Sequence, residues 1–131
     1  MTRLKFILFT LLAVCFLIAC RKQTAIQTAE DKIAGKTWFL EKLVSQTYIN
    51  DYRQLPTFTF KVEKNGKQYY DSDGINGSYS IKENGSSVCL NVLVVGRQID
   101  TLFIAQLGRD HLVMECYKNA ELQVLYFSTR P

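Results

Sequence analysis

The chain that follows Gly35 consists of short runs of β-branched and aromatic residues, and turn sequences separate one run from the next. This alternation is typical of consecutive antiparallel strands. Residues 57–63 show it most clearly, because Phe58, Phe60 and Val62 alternate with polar residues and therefore share one face of a strand. Eight such segments are predicted, at residues 36–46, 57–63, 67–71, 76–83, 88–95, 98–107, 111–118 and 121–129.

The connections between these segments predict how they are arranged. Asn65-Gly66 and Asn84-Gly85 accept the positive φ of tight hairpin turns, and every connection after the first is too short for a crossover helix. Consecutive strands are therefore expected to be antiparallel neighbours. A meander of eight strands leaves two unpaired edges unless it closes on itself. We therefore predict an all-β fold, an eight-stranded antiparallel up-and-down β-barrel.

The interior of an eight-stranded barrel is either filled by side chains or holds one small ligand. The inward faces of the second, fourth and fifth predicted strands carry the residues that would line such a ligand site: Phe58, Phe60, Val62, Tyr79, Ile81, Leu90 and Val92. The alternative role of these residues is plain core, which the shortness of the chain favours.

The first residues have the composition of an export signal. Two basic residues precede an apolar stretch at residues 6–19. Arg21 and Lys22 end this stretch before it reaches the about 20 residues that a transmembrane helix needs. Residues 1–19 are therefore predicted to be a signal peptide that is removed.

The leader ends in Leu17-Ile18-Ala19-Cys20, which resembles the lipobox of bacterial lipoproteins. The resemblance implies that Cys20 becomes the mature N-terminus and is acylated on its sulfur and its amine. Acyl chains buried in a bilayer would then hold the protein on the membrane, at about 0.8 kcal/mol per methylene. The alternative is an ordinary secretory signal in which Cys20 is incidental.

Residues 20–34 are predicted to be the lipidated N-terminus and a tether, because they are polar and lack a sustained apolar period. A short helical turn at residues 30–34, ended by Gly35, is expected within them. The barrel domain is assigned to residues 35–131.

Charge and cysteine content limit what the domain can do. Loss of the two basic residues of the leader lowers the formal net charge from +4 to +2, so no nucleic-acid partner is expected.

Cys15 leaves with the leader and Cys20 is consumed by lipid, which leaves Cys89 and Cys116. Their predicted strands have one strand between them and lie roughly 9 to 10 Å apart, whereas a disulfide needs Cα atoms within about 7 Å. Two buried free thiols are expected, and a bridge across a curved region is the alternative.

No pattern in the sequence specifies a reaction. His111, the only histidine, stands beside Asp110 and has no evident serine or cysteine partner in the sequence. The segment 71–77 departs from a calcium loop, because Ile75 and Asn76 stand where an EF-hand has Asp or Asn and then Gly. A turn is expected there instead. We predict no enzymatic activity, no cofactor and no metal site.

Short motifs link the chain to a family. They are Gly35-Lys36-Thr37-Trp38, Asp71-Ser72-Asp73-Gly74 with Gly77-Ser78-Tyr79, and Tyr126-Phe127. Together they resemble the lipocalin-like lipoproteins common in Bacteroidota, over residues 35–131.

The resemblance implies a calycin-type barrel in which a Trp on the first strand packs under an Arg from the end of the last strand. Trp38 and Arg130 occupy the matching places, and their cation–π contact would close one end of the barrel. The alternative for Arg130 is a solvated chain terminus.

The functional expectation is a lipid-anchored lipoprotein of the cell envelope, at the outer membrane and facing the periplasm. Its barrel would bind a small apolar or amphipathic ligand. One alternative is a solid barrel that binds another protein through the connection at residues 48–52 or through Tyr69-Tyr70. Another is a small envelope inhibitor or stress protein similar to META-type domains.

Overall fold

The computed structural model describes residues 28–55, 57–84 and 87–130. The predicted signal peptide and Cys20 lie outside these ranges. Within them the chain forms one short helix, a 3-10 turn at Asn65–Lys67, and nine strands. These are α1 (Ala29–Ile33), β1 (Thr37–Val44), β2 (Ile49–Asp51), β3 (Thr59–Glu63), β4 (Gln68–Asp71), β5 (Asn76–Asn84), β6 (Ser87–Val94), β7 (Arg97–Leu107), β8 (His111–Lys118) and β9 (Glu121–Ser128).

The strands close into a barrel of eight. From β3 to β9, each strand pairs antiparallel with the next along the chain, and β3 also pairs with β1. The last strand returns to the first, with a register that runs from Phe39 opposite Ser128 to Val44 opposite Val124. The predicted eight-stranded antiparallel up-and-down barrel is confirmed.

One strand was not predicted. β2 lies in the connection that follows β1 and forms a hairpin with its second half, where Val44 pairs with Ile49. The first half of β1 pairs with β3 instead. β2 and β3 therefore pair with the same edge of β1, one after the other along the strand. β2 was missed because its three residues are too few to show an alternating pattern in the sequence.

The closed sheet buries one face of each strand. Phe60 lies at the centre of an aromatic group, with its ring centroid 5.1 Å from that of Phe127 and 6.0 Å from that of Tyr69. The buried apolar residues are Ile33, Trp38, Leu40, Phe60, Val62, Tyr69, Tyr79, Leu90, Val92, Leu102, Leu112, Met114, Cys116 and Phe127.

Helix α1 covers the end of the barrel at which β1 begins and β3 ends. Ile33 and Trp38 are both fully buried, and the Trp38 Nε1 donates a hydrogen bond of 3.0 Å to the Ile33 carbonyl. Gly35 follows the helix with a φ of 75°, as predicted, and its amide donates to the Val62 carbonyl. We call this end of the barrel the closed end.

Two ion pairs hold α1 to the turn between β3 and β4. Lys67 pairs with Glu30, and Lys64 pairs with Asp31. The Tyr79 hydroxyl, from β5, also donates to Glu30 over 2.8 Å. Lys67 and then Tyr79 hold the pKa of the Glu30 carboxyl below its ordinary value. The helix is thus attached to two neighbouring parts of the barrel wall.

Replacement of Gly77 by alanine should destabilise the barrel. A Cβ at this position of β5 would lie 2.2 Å from the Leu93 carbonyl oxygen on β6, so the two strands would have to separate. We expect the free energy of unfolding to fall by about 1 to 3 kcal/mol, the usual cost of overpacking. Urea denaturation measures the change.

Gly108→Ala is the matched control, because a Cβ at Gly108 would be 3.6 Å from the nearest atom, an ordinary contact. Its unfolding free energy should stay within about 0.5 kcal/mol of the parent value. Equal losses in the two variants would contradict the close approach of β5 and β6 at Gly77.

Candidate functional site

The interior of the barrel is filled at the closed end and hollow at the other. Val62, Leu90 and Leu112 are fully buried in the filled half. The other half encloses a cavity of about 470 Å³. This volume falls within the range of small-molecule sites, roughly 300 to 1,000 Å³.

The cavity reaches the surface at the end opposite α1. Its lining there comes from the turn between β4 and β5, from the start of β7 and from the end of β8. Asp73, Ile99 and Lys118 are exposed at this end and line the cavity as well. We call this end the mouth.

Most of the cavity wall is apolar. Side chains from β1, from β3 and from β6 to β9 contribute, because side chains of these strands point inward. The apolar lining residues are Leu40, Leu43, Phe58, Phe60, Ile75, Val92, Ile99, Leu102, Met114, Leu125 and Phe127.

Four charged residues line the cavity among the described residues: Asp71, Asp73, Asp100 and Lys118. The Asp71 Oδ1 accepts the amides of Asp73 and Ile75, each over 3.0 Å, and so builds the turn. The Tyr69 hydroxyl donates to the Asp71 Oδ2 over 3.0 Å. Burial and then the Asp71 carboxylate raise the pKa of Tyr69, so this phenol stays protonated.

Gln123 is a buried polar group in the wall. It is 8% exposed, and its Nε2 donates to the Tyr48 hydroxyl over 2.9 Å. Tyr48 precedes β2, so this bond ties the unpredicted hairpin to β9. The Gln123 Oε1 has no hydrogen-bond partner among the described residues, and it is not sealed off from solvent.

Cys116 lines the cavity, whereas Cys89 lies on the outside of the barrel. Both thiols are free, as expected. Cys89 pairs with Phe103, which pairs with Glu115, the neighbour of Cys116, so the two cysteines point to opposite faces. Cys116 is buried as predicted, but Cys89 is only half-buried because it faces outward. Burial and then Asp100 raise the pKa of the Cys116 thiol.

The seven residues predicted to line a site divide between three environments. Phe58, Phe60 and Val92 line the cavity. Val62 and Leu90 are core of the filled half. The remaining two, Tyr79 and Ile81, border a surface groove beside α1.

The closed end does not depend on the predicted pair of Trp38 and Arg130. Lys36 lies over the Trp38 ring, with its Nζ 5.6 Å from the ring centroid. Arg130 is exposed, and among the described residues it places no charge over an aromatic ring. The hydrogen bond to Ile33 and the packing under α1 hold Trp38 instead.

His111 begins β8 on the exposed surface, where its carbonyl accepts the Gly108 amide over 2.8 Å. In the part of the chain that the structure describes, no three His, Cys, Asp or Glu side chains are grouped closely enough to hold a metal ion. The predicted turn at residues 71–74 is present, with Gly74 at a φ of 89°.

Several lining residues were not predicted from the sequence. Asp71 and Asp73 were interpreted only as turn residues. Asp100 and Gln123 sit on strands where polar residues are normally assigned to the solvent face. Their inward direction follows from register, which a single sequence does not display.

Comparison with known proteins returned no match, whether against protein-family models, curated proteins or solved structures. Among residues 28–55, 57–84 and 87–130, no helix has the length and apolarity needed to cross a bilayer.

The two thiols should differ in reactivity. All strand pairings and α1 contacts described above lie within residues 28–130, so a chain of residues 21–131 keeps them and contains no other cysteine. With a thiol reagent on the native protein, we expect Cys116 to react about tenfold more slowly than Cys89, or slower still, because it is buried and its pKa is raised.

The variants Cys89→Ser and Cys116→Ser show which thiol gives the fast reaction and which gives the slow one. In the denatured protein, two thiols should titrate in the absence of reductant. Equal native rates would contradict the inward position of Cys116. Zero thiols in the denatured protein would contradict the strand order.

Proposed function

We propose that this protein is a lipid-anchored lipoprotein of the cell envelope whose barrel binds one small apolar or amphipathic molecule. The observation that carries the proposal is the cavity of about 470 Å³ between the filled half of the barrel and the mouth. Its lining is mainly apolar, with a few polar groups near the opening, which is the usual composition of a ligand site.

Such a cavity is unusual for a domain that needs its interior only for stability. Protein interiors are packed to crystal-like density, and voids larger than a water molecule are few. An apolar ligand would remove the wall of this cavity from water, which is favourable by about 25 cal/mol per Å². Ligand binding therefore accounts for the hollow half of the barrel, which folding stability alone does not require.

The lipobox at Leu17–Cys20 supports the anchor, and the barrel is consistent with the resemblance to lipocalin-like lipoproteins of Bacteroidota. Residues 20–27 precede α1 and can span at most about 29 Å. Under this proposal the tether joins the domain at its closed end. The attachment point then lies at the end of the barrel opposite the mouth, and the domain faces the periplasm if the leaflet is that of the outer membrane.

A substitution that fills the cavity should abolish binding. Leu125 on β9 lines the cavity, so we expect Leu125→Trp to lower the affinity for the neutral probe N-phenyl-1-naphthylamine by about tenfold or more. The physical reason is that the larger indole side chain would occupy part of the cavity volume that the probe needs. Fluorescence titration of the chain of residues 21–131 measures the affinity.

Val124→Trp is the matched control, because Val124 is the preceding residue on β9 and pairs with Glu115 and Val44 without lining the cavity. Its affinity for the probe should stay within about twofold of the parent value. Equal losses in both variants would count against binding inside the barrel. Lack of binding by the parent chain would count against the proposed ligand function.

A second candidate is binding of another protein, and exposed apolar residues favour it. Ile49 in β2, Leu55 after it and Val95 between β6 and β7 are 69%, 77% and 100% exposed. All three lie at the mouth end of the barrel. Failure of the probe titration would favour this candidate.

The anchor has its own test. Cys20→Ala removes the sulfur that the lipid would modify, so we expect the protein to move from the membrane pellet to the soluble fraction. Fractionation of cells that express the full chain, followed by immunoblotting, measures the distribution. Cys15→Ala, within the leader, should leave the protein in the pellet. Continued membrane association of Cys20→Ala would contradict the lipid anchor.

A further inference from the structure

The charges of the cavity lining have the opposite sign to the whole chain. Without the predicted leader, the chain carries a formal net charge of +2. Among the described residues that line the cavity there are three carboxylates, Asp71, Asp73 and Asp100, against the single cation Lys118. A negative opening on a basic protein would attract cations and repel anions.

The mouth carboxylates lack the ion pairs that other acidic residues have. Asp31 and Glu30 pair with lysines at the closed end, and Asp51 and Glu63 pair with cations on the surface. Within the described ranges, none of the three mouth carboxylates forms an ion pair.

The hydrogen bonds at the mouth leave several acceptor atoms available. Asp71 is committed to its turn and to Tyr69. Asp100 accepts only the Thr101 amide, through Oδ1 and over 3.0 Å, and Asp73 accepts no hydrogen bond within the described part of the chain. No ion pair among the described residues therefore neutralises the negative charges of Asp73 and Asp100.

Gln123 adds an independent observation inside the cavity wall. The residue is more than nine-tenths buried, and its Oε1, which reaches solvent, has no hydrogen-bond partner among the described residues. A ligand that carries N–H or O–H donors would have this oxygen as an acceptor in the cavity wall.

A metal ion does not fit this arrangement. Among the described residues no three acidic, histidine or cysteine side chains are grouped closely enough to hold one. The carboxylates are spread around the mouth, and the volume beneath them is bounded by apolar side chains. The site therefore calls for a molecule with one apolar part and one cationic part.

We infer that the cavity binds amphiphiles with a cationic, donor-bearing head group of the alkylammonium type. The apolar body would lie among the side chains around Phe60 and Leu125, and the head would lie near Asp73, Asp100 and Gln123. This inference rests on the proposed ligand function and adds the class of ligand to it. Fatty-acid anions are disfavoured, because their carboxylate would meet like charges.

Three probes with the same dodecyl chain separate the contribution of the head group. Dodecylammonium, dodecanol and dodecanoate are titrated calorimetrically into the chain of residues 21–131, each below its micelle concentration and at neutral pH. We expect the ammonium to bind about tenfold more tightly than the alcohol, and dodecanoate more weakly than the alcohol. The preference should shrink at high salt, because exposed charges are screened.

Two double variants test the residues. Asp73→Asn with Asp100→Asn should lower the affinity for dodecylammonium about tenfold, and should change that for dodecanol less than about twofold. Retained dodecanol binding also reports that the variant is folded. Glu83→Gln with Glu115→Gln removes the same net charge from residues that do not line the cavity, and should leave the order of the three probes unchanged.

The outcomes distinguish the inference from the proposed function. Binding of all three probes with equal affinity, or tightest binding of dodecanoate, overturns the cationic class and leaves ligand binding in place. Loss of ammonium preference in the control variant as well overturns the role of the mouth carboxylates. Binding of none of the three probes overturns the inference and the proposed function together.

Discussion

The pairing of β1 with β9 is the constraint on which the rest of the structure depends. It joins residues 39–44 to residues 124–128 and removes the two free edges that an eight-stranded meander would leave. An interior exists only because the sheet closes. Both the core under α1 and the cavity behind the mouth are parts of that interior, so a loss of this pairing would remove them together.

The two ends of the barrel differ because different chain segments reach them. At the closed end α1 supplies Ile33, whose carbonyl receives the Trp38 indole hydrogen bond, and side chains fill the space between them. At the mouth the short β2 hairpin and the β4–β5 turn border the opening without filling it. Side-chain packing is therefore concentrated at one end, and the other end is hollow.

Much of the fold was predictable because its signals are local. Alternating residues such as Phe58, Phe60 and Val62, together with turn sequences such as Asn65-Gly66, mark where each strand begins and ends. Short connections then leave antiparallel neighbours as the only arrangement. β2 escaped prediction because its three residues are too few to show an alternating pattern, and because they pair with the second half of β1 only where β3 no longer does.

The sequence by itself determined the number of barrel strands and their order, and it gave the inward face of a strand that alternates as clearly as β3, because a two-residue period and short loops are encoded locally. The sequence did not determine how far along the barrel, measured from α1, each inward side chain lies. Val62 and Phe60 share a face of β3, yet one is core and the other lines the cavity, because their distances from α1 differ. Only the tertiary structure decided that distance, and only closure brought Asp73, Asp100 and Gln123 from three separate parts of the chain to one opening.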